Sequence, residues 1–132
     1  MFIVAKKGTR KSNTQINISS SAKTITFSAG FFRTYNIDLS QTLFVRLAYD
    51  TSAKEIAVEF ANMDKKNDEY LKLTLAQSKT SASCSVIPIL STFSILIKDI
   101  AGIYKDGSIS GPIKINGFSE NGFILKTKNR EV

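Results

Sequence analysis

The stretch from Ile16 to Phe60 constrains the fold most, because its apolar residues change their spacing twice along the chain. Ile16 and Ile18 alternate with polar residues, and so do Ile25 and Phe27 after a short serine-rich turn. A spacing of two residues is typical of a half-buried strand. The stretch therefore begins with a predicted β-hairpin.

Residues 29–36 (AGFFRTYN) follow with helical spacing. Ser28 is a predicted N-cap, and Phe31 and Tyr35 are four residues apart on one face. Asn36 suits the end of a helix because asparagine accepts a left-handed conformation. We expect a helix of about two turns, too short to be stable alone. Its aromatic side chains should therefore pack in the core.

A second hairpin completes this stretch. Leu43–Tyr49 and Ile56–Phe60 alternate around a turn at Asp50–Lys54. One face of each strand is apolar, and the other carries polar residues such as Arg46 and Glu59. The pattern predicts an antiparallel pair whose polar face is exposed to solvent.

The chain beyond this stretch repeats similar patterns less clearly. They predict strands at Tyr70–Gln77 and Ser83–Pro88, a helix at Ser91–Ala101, and a final hairpin that turns at Asn121-Gly122. We expect the polar tail, residues 126–132, to fray. The predicted class is α+β, mainly β, built from antiparallel hairpins with one short helix per half.

The order strand, strand, helix, hairpin occurs on both sides of a polar segment. We predict a first half in residues 1–61, a linker in residues 62–69, and a second β-rich half in residues 70–132 that shares the core. This order is consistent with an internal duplication. It is equally consistent with chance recurrence in a small α+β chain, since residue identity between the halves is weak.

Positive charge is concentrated at the beginning of the chain. The net charge is +7, and residues 1–37 contain six of the 18 basic residues and none of the 11 acidic ones. The basic arm, Lys6–Thr14, also has the glycine, serine and threonine of a loop. A segregated positive field favours a polyanionic partner over a merely solubilising tail.

Seven basic residues are therefore candidates for nucleic-acid binding. Four lie in the basic arm, one in the first turn, one on the predicted helix and one on a strand: Lys6, Lys7, Arg10, Lys11, Lys23, Arg33 and Arg46. Such side chains contact phosphates. Arg33 is equally consistent with a surface arginine that covers the aromatic rings, and Arg46 with a structural residue.

The residues that most enzymes use are missing. The chain has no histidine and a single cysteine, Cys84, in an apolar strand-like context. Histidine bases and thiolate metal sites are therefore excluded, and the sequence has no Walker loop and no dinucleotide-binding fingerprint. We predict no enzymatic activity, cofactor or small-molecule substrate. Cys84 is expected to be a small buried hydrophobe. Without a long apolar segment or a secretory signal, we predict a cytoplasmic protein with no membrane contact.

The first half resembles the DNA-binding domain of the AbrB/MazE-type swapped-hairpin family. The match runs through the first strand, its Ser-Ser-Ala-Lys turn, a second strand, the helix, a turn and the hairpin: Ile16–Ile18, Ser19–Lys23, Ile25–Ser28, Ala29–Ile37, Asp38–Gln41 and Leu43–Phe60. It covers about a third of the chain. The resemblance implies an intertwined homodimer that binds DNA through the first turn and helix, or one duplicated chain that mimics such a dimer.

The leading functional hypothesis is a small DNA-binding protein, duplex favoured, that regulates transcription in a bacterium, plasmid or virus. A virus would place it in the host cytoplasm. One alternative is a single-stranded nucleic-acid binder, which would expose aromatic rings for base stacking. Another is a viral or mobile-element structural protein whose basic arm packs against a partner.

Overall fold

The computed structural model describes residues 1–2, 13–40, 43–61, 69–78, 80–118 and 120–132. Two helices lie in these ranges, α1 (Ala29–Thr34) and α2 (Ile87–Phe93), with 3₁₀ turns at Ile97–Asp99 and Thr127–Asn129. The strands are β1 (Ile16–Ile18), β2 (Thr24–Phe27), β3 (Phe44–Asp50), β4 (Glu55–Ala61), β5 (Tyr70–Lys72), β6 (Thr74–Leu75), β7 (Ala82–Ser85), β8 (Gly102–Tyr104), β9 (Ile109–Ile113) and β10 (Gly122–Lys126). The predicted α+β, mainly β class is confirmed.

The strands form two five-stranded sheets, and each sheet takes strands from both halves of the sequence. One sheet has the order β6-β7-β2-β1-β8, and the other has the order β5-β3-β4-β10-β9. All of these strand pairs are antiparallel. Neither half of the described chain therefore builds a sheet without the other.

The pattern of strand pairs is unchanged when the two halves are exchanged. In this exchange β1 corresponds to β5 with β6, β2 to β7, β3 to β8 with β9, and β4 to β10. The pairs β1–β2, β1–β8 and β3–β4 then match β6–β7, β5–β3 and β9–β10. The two remaining pairs, β2–β7 and β4–β10, join equivalent strands in antiparallel fashion, as a two-fold arrangement requires. Duplication as the origin of this topology stays a prediction.

One core joins the two sheets and α1. Phe31 of α1 lies 5.5 Å from Phe27 of β2 and 5.0 Å from Phe123 of β10, measured between ring centroids. The rings of Phe27 and Phe60 are 5.0 Å apart and bridge the sheets directly. Tilted and edge-to-face rings at these distances attract each other beyond the area they bury.

The predicted caps and aromatic packing of α1 and the strand pairs of the two hairpins around it are confirmed. The Ser28 hydroxyl accepts a hydrogen bond from the Phe31 amide at 3.1 Å, which is the N-cap contact. Asn36 has a φ of +54° just beyond the helix. Phe31 is fully buried and Tyr35 is half-buried against it. The aromatic residues therefore attach this short helix to the core.

The predicted helix at Ser91–Ala101 is wrong. The helix of this half begins earlier, at Ile87, and ends at Phe93 because Ser94 adopts a left-handed conformation with a φ of +53°. Pro88 lies in its first turn, where a missing amide hydrogen is tolerated. The later apolar residues belong to a separate 3₁₀ turn at Ile97–Asp99.

Three other expectations for the second half are wrong. The Tyr70–Gln77 strand is broken at Leu73, so that β5 and β6 join different sheets. Gly122 is the first residue of β10 and is not part of a turn. The chain turns at Ile115–Phe118, where the Phe118 amide donates to the Ile115 carbonyl. The tail is held in place, since Glu131 forms a two-way backbone bridge with Ile103.

Replacing Phe31 by alanine should destabilise the fold by roughly 3–5 kcal/mol, because the ring is fully buried among other aromatic rings. Chemical denaturation measures the free energy of unfolding. Ile87→Ala is the control: Ile87 is 53% exposed, and its truncation should change stability by less than about 0.5 kcal/mol. Equal stability of the Phe31 variant and the wild type would contradict the core position of this ring.

Candidate nucleic-acid interface

The basic arm is described only where it joins the fold. Lys6, Lys7, Arg10 and Lys11 lie outside the described residues, as do residues 62–68 of the predicted linker. The last two residues of the arm, Asn13 and Thr14, are described. Their contacts fix the point from which the arm leaves the fold.

That point lies beside α1. The Ser28 hydroxyl donates a hydrogen bond to the Asn13 carbonyl at 2.7 Å and accepts one from the Gln15 amide at 3.1 Å. The hydroxyls of Thr14 and Thr34 are 2.7 Å apart. The residue that caps α1 therefore also binds the chain on both sides of Thr14, and the arm begins next to the helix.

Arg33 is exposed on α1, one residue before Thr34. It borders a shallow groove of about 490 Å³ that Phe32, Asp38 and Thr80 also line. Hydrogen bonds from Ser40 lower the pKa of the Asp38 carboxyl, the acidic group in this groove. The structure thus brings Arg33 together with the root of the basic arm.

Lys23 is exposed at the other end of the first hairpin. It has a φ of +54°, and its carbonyl accepts a hydrogen bond from the Val86 amide at the start of α2. The four residues of β2 separate it from α1 and span about 13 Å at the usual rise of a strand. The structure therefore does not group Lys23 with Arg33.

Arg46 lies in a cluster of contacts on one face of the second sheet. Its guanidinium is 3.1 Å from the Glu59 carboxylate, which is directly opposite on β4, and 2.9 Å from the Glu69 carboxylate. It also donates to the Gly117 carbonyl at 3.1 Å. These contacts support a structural role for Arg46, and its part in nucleic-acid binding stays a prediction.

Glu59 corrects the expectation that this sheet face is exposed to solvent. Its side chain is fully buried, and its carboxylate accepts hydrogen bonds from the Tyr70 hydroxyl at 2.8 Å and the Glu120 amide at 2.6 Å. The Phe118 ring covers Arg46, with the guanidinium carbon 4.8 Å from the ring centroid. A buried carboxylate with an arginine and two further donors is well compensated.

Gly122 leaves room for the Phe118 ring that covers Arg46. It is the residue opposite Glu59 on β10, and a Cβ atom there would lie 2.5 Å from the Val58 carbonyl oxygen and 3.1 Å from the Phe118 ring. Only glycine fits that space without a shift of the backbone. The glycine of Asn121-Gly122 therefore allows the Phe118 ring to approach the sheet closely next to Glu59, and it does not form the expected turn.

The Cys84 side chain is buried, as the sequence predicts. Burial raises the pKa of its thiol to about 12. Because the thiolate is the reactive form, burial suppresses nucleophilic reactions of this cysteine at neutral pH.

Removing Arg46 alone should destabilise the fold by about 3–5 kcal/mol, since it leaves the buried Glu59 carboxylate without its charged partner. Denaturation of Arg46→Ala measures this effect, and Lys114→Ala, at an exposed position, is the control. The double variant Arg46→Met, Glu59→Leu should recover most of the loss. A single variant as stable as the control would show that the pair is not buried in solution.

Cys84 should resist alkylation in the folded protein at pH 8, because its thiol is buried and remains protonated well above that pH. Mass spectrometry after a timed pulse of a thiol reagent measures this. The thiol should become fully reactive in denaturant. Rapid modification without loss of structure would overturn the buried position.

Within the described residues, no helix is long and apolar enough to cross a membrane, and no three metal-ligating side chains are grouped. The chain matches no protein-family model, no curated protein and no solved structure. The geometry and charges of the described residues are therefore the available indications of function.

Proposed function

We propose that this protein binds duplex DNA through the basic arm and the exposed side of α1, and that it acts as a transcriptional regulator in a bacterial, plasmid or viral setting. The observation that carries the proposal is the acid-free basic segment, residues 1–37, whose arm is fastened to the helix that bears Arg33. The described end of the arm and Arg33 therefore lie at the same end of the first hairpin.

The attachment of the arm supports a function in phosphate binding. Arginine and lysine side chains in a loop rich in glycine, serine and threonine provide the donors that phosphates require. Arg33 lies on a helix that Ser28 caps and that two buried rings, Phe31 and Phe32, hold against the core. A side chain on such a helix can meet a groove of the duplex in a defined orientation.

The burial of the aromatic rings of β2 and α1 disfavours base stacking by this part of the chain and therefore supports duplex over single-stranded nucleic acid. Phe27, Phe31 and Phe32 are buried and contact one another in the core, so these rings are not available for base stacking. Stacking on exposed rings is the usual basis of single-strand binding. Single-strand binding and a purely structural role remain the alternatives.

A location in the cytoplasm, or in the host cytoplasm for a viral protein, belongs to this proposal. It agrees with a lone cysteine that is buried and unpaired.

Replacing Lys6, Lys7, Arg10 and Lys11 by alanine should weaken duplex binding without lowering the melting temperature. Each phosphate contact that is lost should reduce the slope of log K against log salt by about 0.9. Fluorescence anisotropy with a labelled duplex, at several salt concentrations, measures both affinity and slope. The same titration with a single strand of equal length compares the two kinds of nucleic acid.

The control removes the same charge from the second half of the chain. Lys72, Lys98, Lys114 and Lys128 are exposed, and their joint replacement by alanine also lowers the net charge by four. This variant should keep the salt slope of the wild type more closely than the arm variant does. Equal slopes for the two variants would remove the arm from the proposed interface, and tighter single-strand binding would favour the alternative.

A further inference from the structure

A pocket of about 420 Å³ lies between α2 and the second sheet. β5 pairs with β3 along Phe44–Arg46, and β3 continues beyond that pairing to Asp50. α2 packs beside this continuation, where the ring centroids of Tyr49 and Phe93 are 5.6 Å apart. The helix therefore lies next to the end of β5, and the cavity remains between them.

Most of the pocket wall is apolar. Its large apolar side chains come from β3, β5, α2 and the turn before β10: Leu47, Leu71, Pro88, Ile89, Phe93 and Phe118. The polar groups centre on Arg46, whose guanidinium lies 2.9 Å from the Glu69 carboxylate and donates to the Gly117 carbonyl. A concave, mostly apolar site of this size with a few grouped polar atoms is typical of a small-molecule site.

The polar groups carry an excess of negative charge. Among the described residues that line the pocket, Arg46 and Glu69 are the charged ones. The Arg46 guanidinium also lies 3.1 Å from the Glu59 carboxylate, which is fully buried. One guanidinium between two carboxylates leaves one negative charge, and the Glu69 side chain is 62% exposed. The accessible charge of the pocket therefore attracts a cation and repels an anion.

We infer that this pocket binds a small molecule with an apolar body and a protonated amine. The amine lies at Glu69, and the apolar body lies against Phe93 and the other apolar side chains of the wall. This inference goes beyond the proposed function and does not depend on DNA binding. The sequence predicts no small-molecule substrate, and the inferred molecule is a bound ligand that the protein does not transform.

Three probes with the same phenethyl body test the charge preference of the pocket: phenethylamine, phenethyl alcohol and hydrocinnamate. Ligands this small should bind with a Kd on the order of 1 mM, which NMR titration of the full chain at neutral pH measures. The amine should bind about fivefold more tightly than the alcohol, which is the upper range for an exposed ion pair. The carboxylate should bind more weakly than the alcohol.

Glu69→Gln should remove the preference for the amine and leave the affinity for the alcohol unchanged. Because Glu69 is mostly exposed, this change should not alter the fold. Thr92→Trp should block all three probes, since Thr92 lines the pocket from α2. Ser91→Trp is the matched control: Ser91 is exposed on the same helix, is not among the described lining residues, and should bind the probes like the wild type. Melting temperatures check that each variant is folded.

The expected order of the three probes, together with its loss in Glu69→Gln, supports the inference. Tighter binding of hydrocinnamate than of phenethylamine would overturn it in favour of an anionic ligand at Arg46. Equal amine affinities of folded Thr92→Trp and Ser91→Trp would place the binding elsewhere on the molecule and overturn it as well. Absence of saturable amine binding up to about 10 mM would show that the cavity is not a site of this class.

Discussion

The structure depends on two strand pairs that join the halves of the chain, β2 with β7 and β4 with β10. Each half has few and short strands, and such a unit exposes too much apolar surface to be stable alone. The two pairs complete both sheets and bring Phe27, Phe31, Phe60 and Phe123 into contact. The hairpins of both halves therefore pack around one common core.

Glu59, whose carboxylate is buried, belongs to the β4–β10 pair. It is opposite Gly122 across the β4–β10 pair and opposite Arg46 across the β3–β4 pair. A shift of one residue in either register would move Glu59 to the other sheet face, away from Arg46, Tyr70 and the Glu120 amide. An unpartnered buried charge is costly, so the cluster disfavours alternative registers.

The sequence predicted the first half well because its signals are local. Ser28, Phe31 and Asn36 define a helix and its ends without reference to the rest of the chain. In the second half, Phe93, Ile97 and Ile100 have helical spacing but lie in a helix end, a 3₁₀ turn and the residue after that turn. Periodicity alone does not separate these cases, and Pro88 was the stronger signal for the start of the helix. The predicted strand is broken at Leu73 because β5 and β6 pair in two different sheets. No local sequence pattern indicates this break.

The candidate site was only partly predictable, because local sequence patterns do not show which distant residues come into contact. Charge segregation along the sequence identified the arm, Lys23 and Arg33, but Lys23 and Arg33 lie at opposite ends of β2, a separation that depends on the fold. Arg46 alternates with apolar residues like any exposed strand residue. Its partners Glu69 and Gly117 are 23 and 71 residues away in sequence. Burial of a polar strand face by a distant segment could have been suspected only from Gly122, where a missing side chain allows close approach.

The separation of charge from the core has a consequence for binding. The side chains that stabilise the fold, such as Phe31 and Glu59, are buried and distinct from the exposed Arg33. Ser28 connects the two groups, because one hydroxyl caps α1 and binds the root of the arm at Asn13 and Gln15. In the proposed function, this attachment holds the described end of the arm beside α1 before DNA is met, and such preorganisation would reduce the entropic cost of binding.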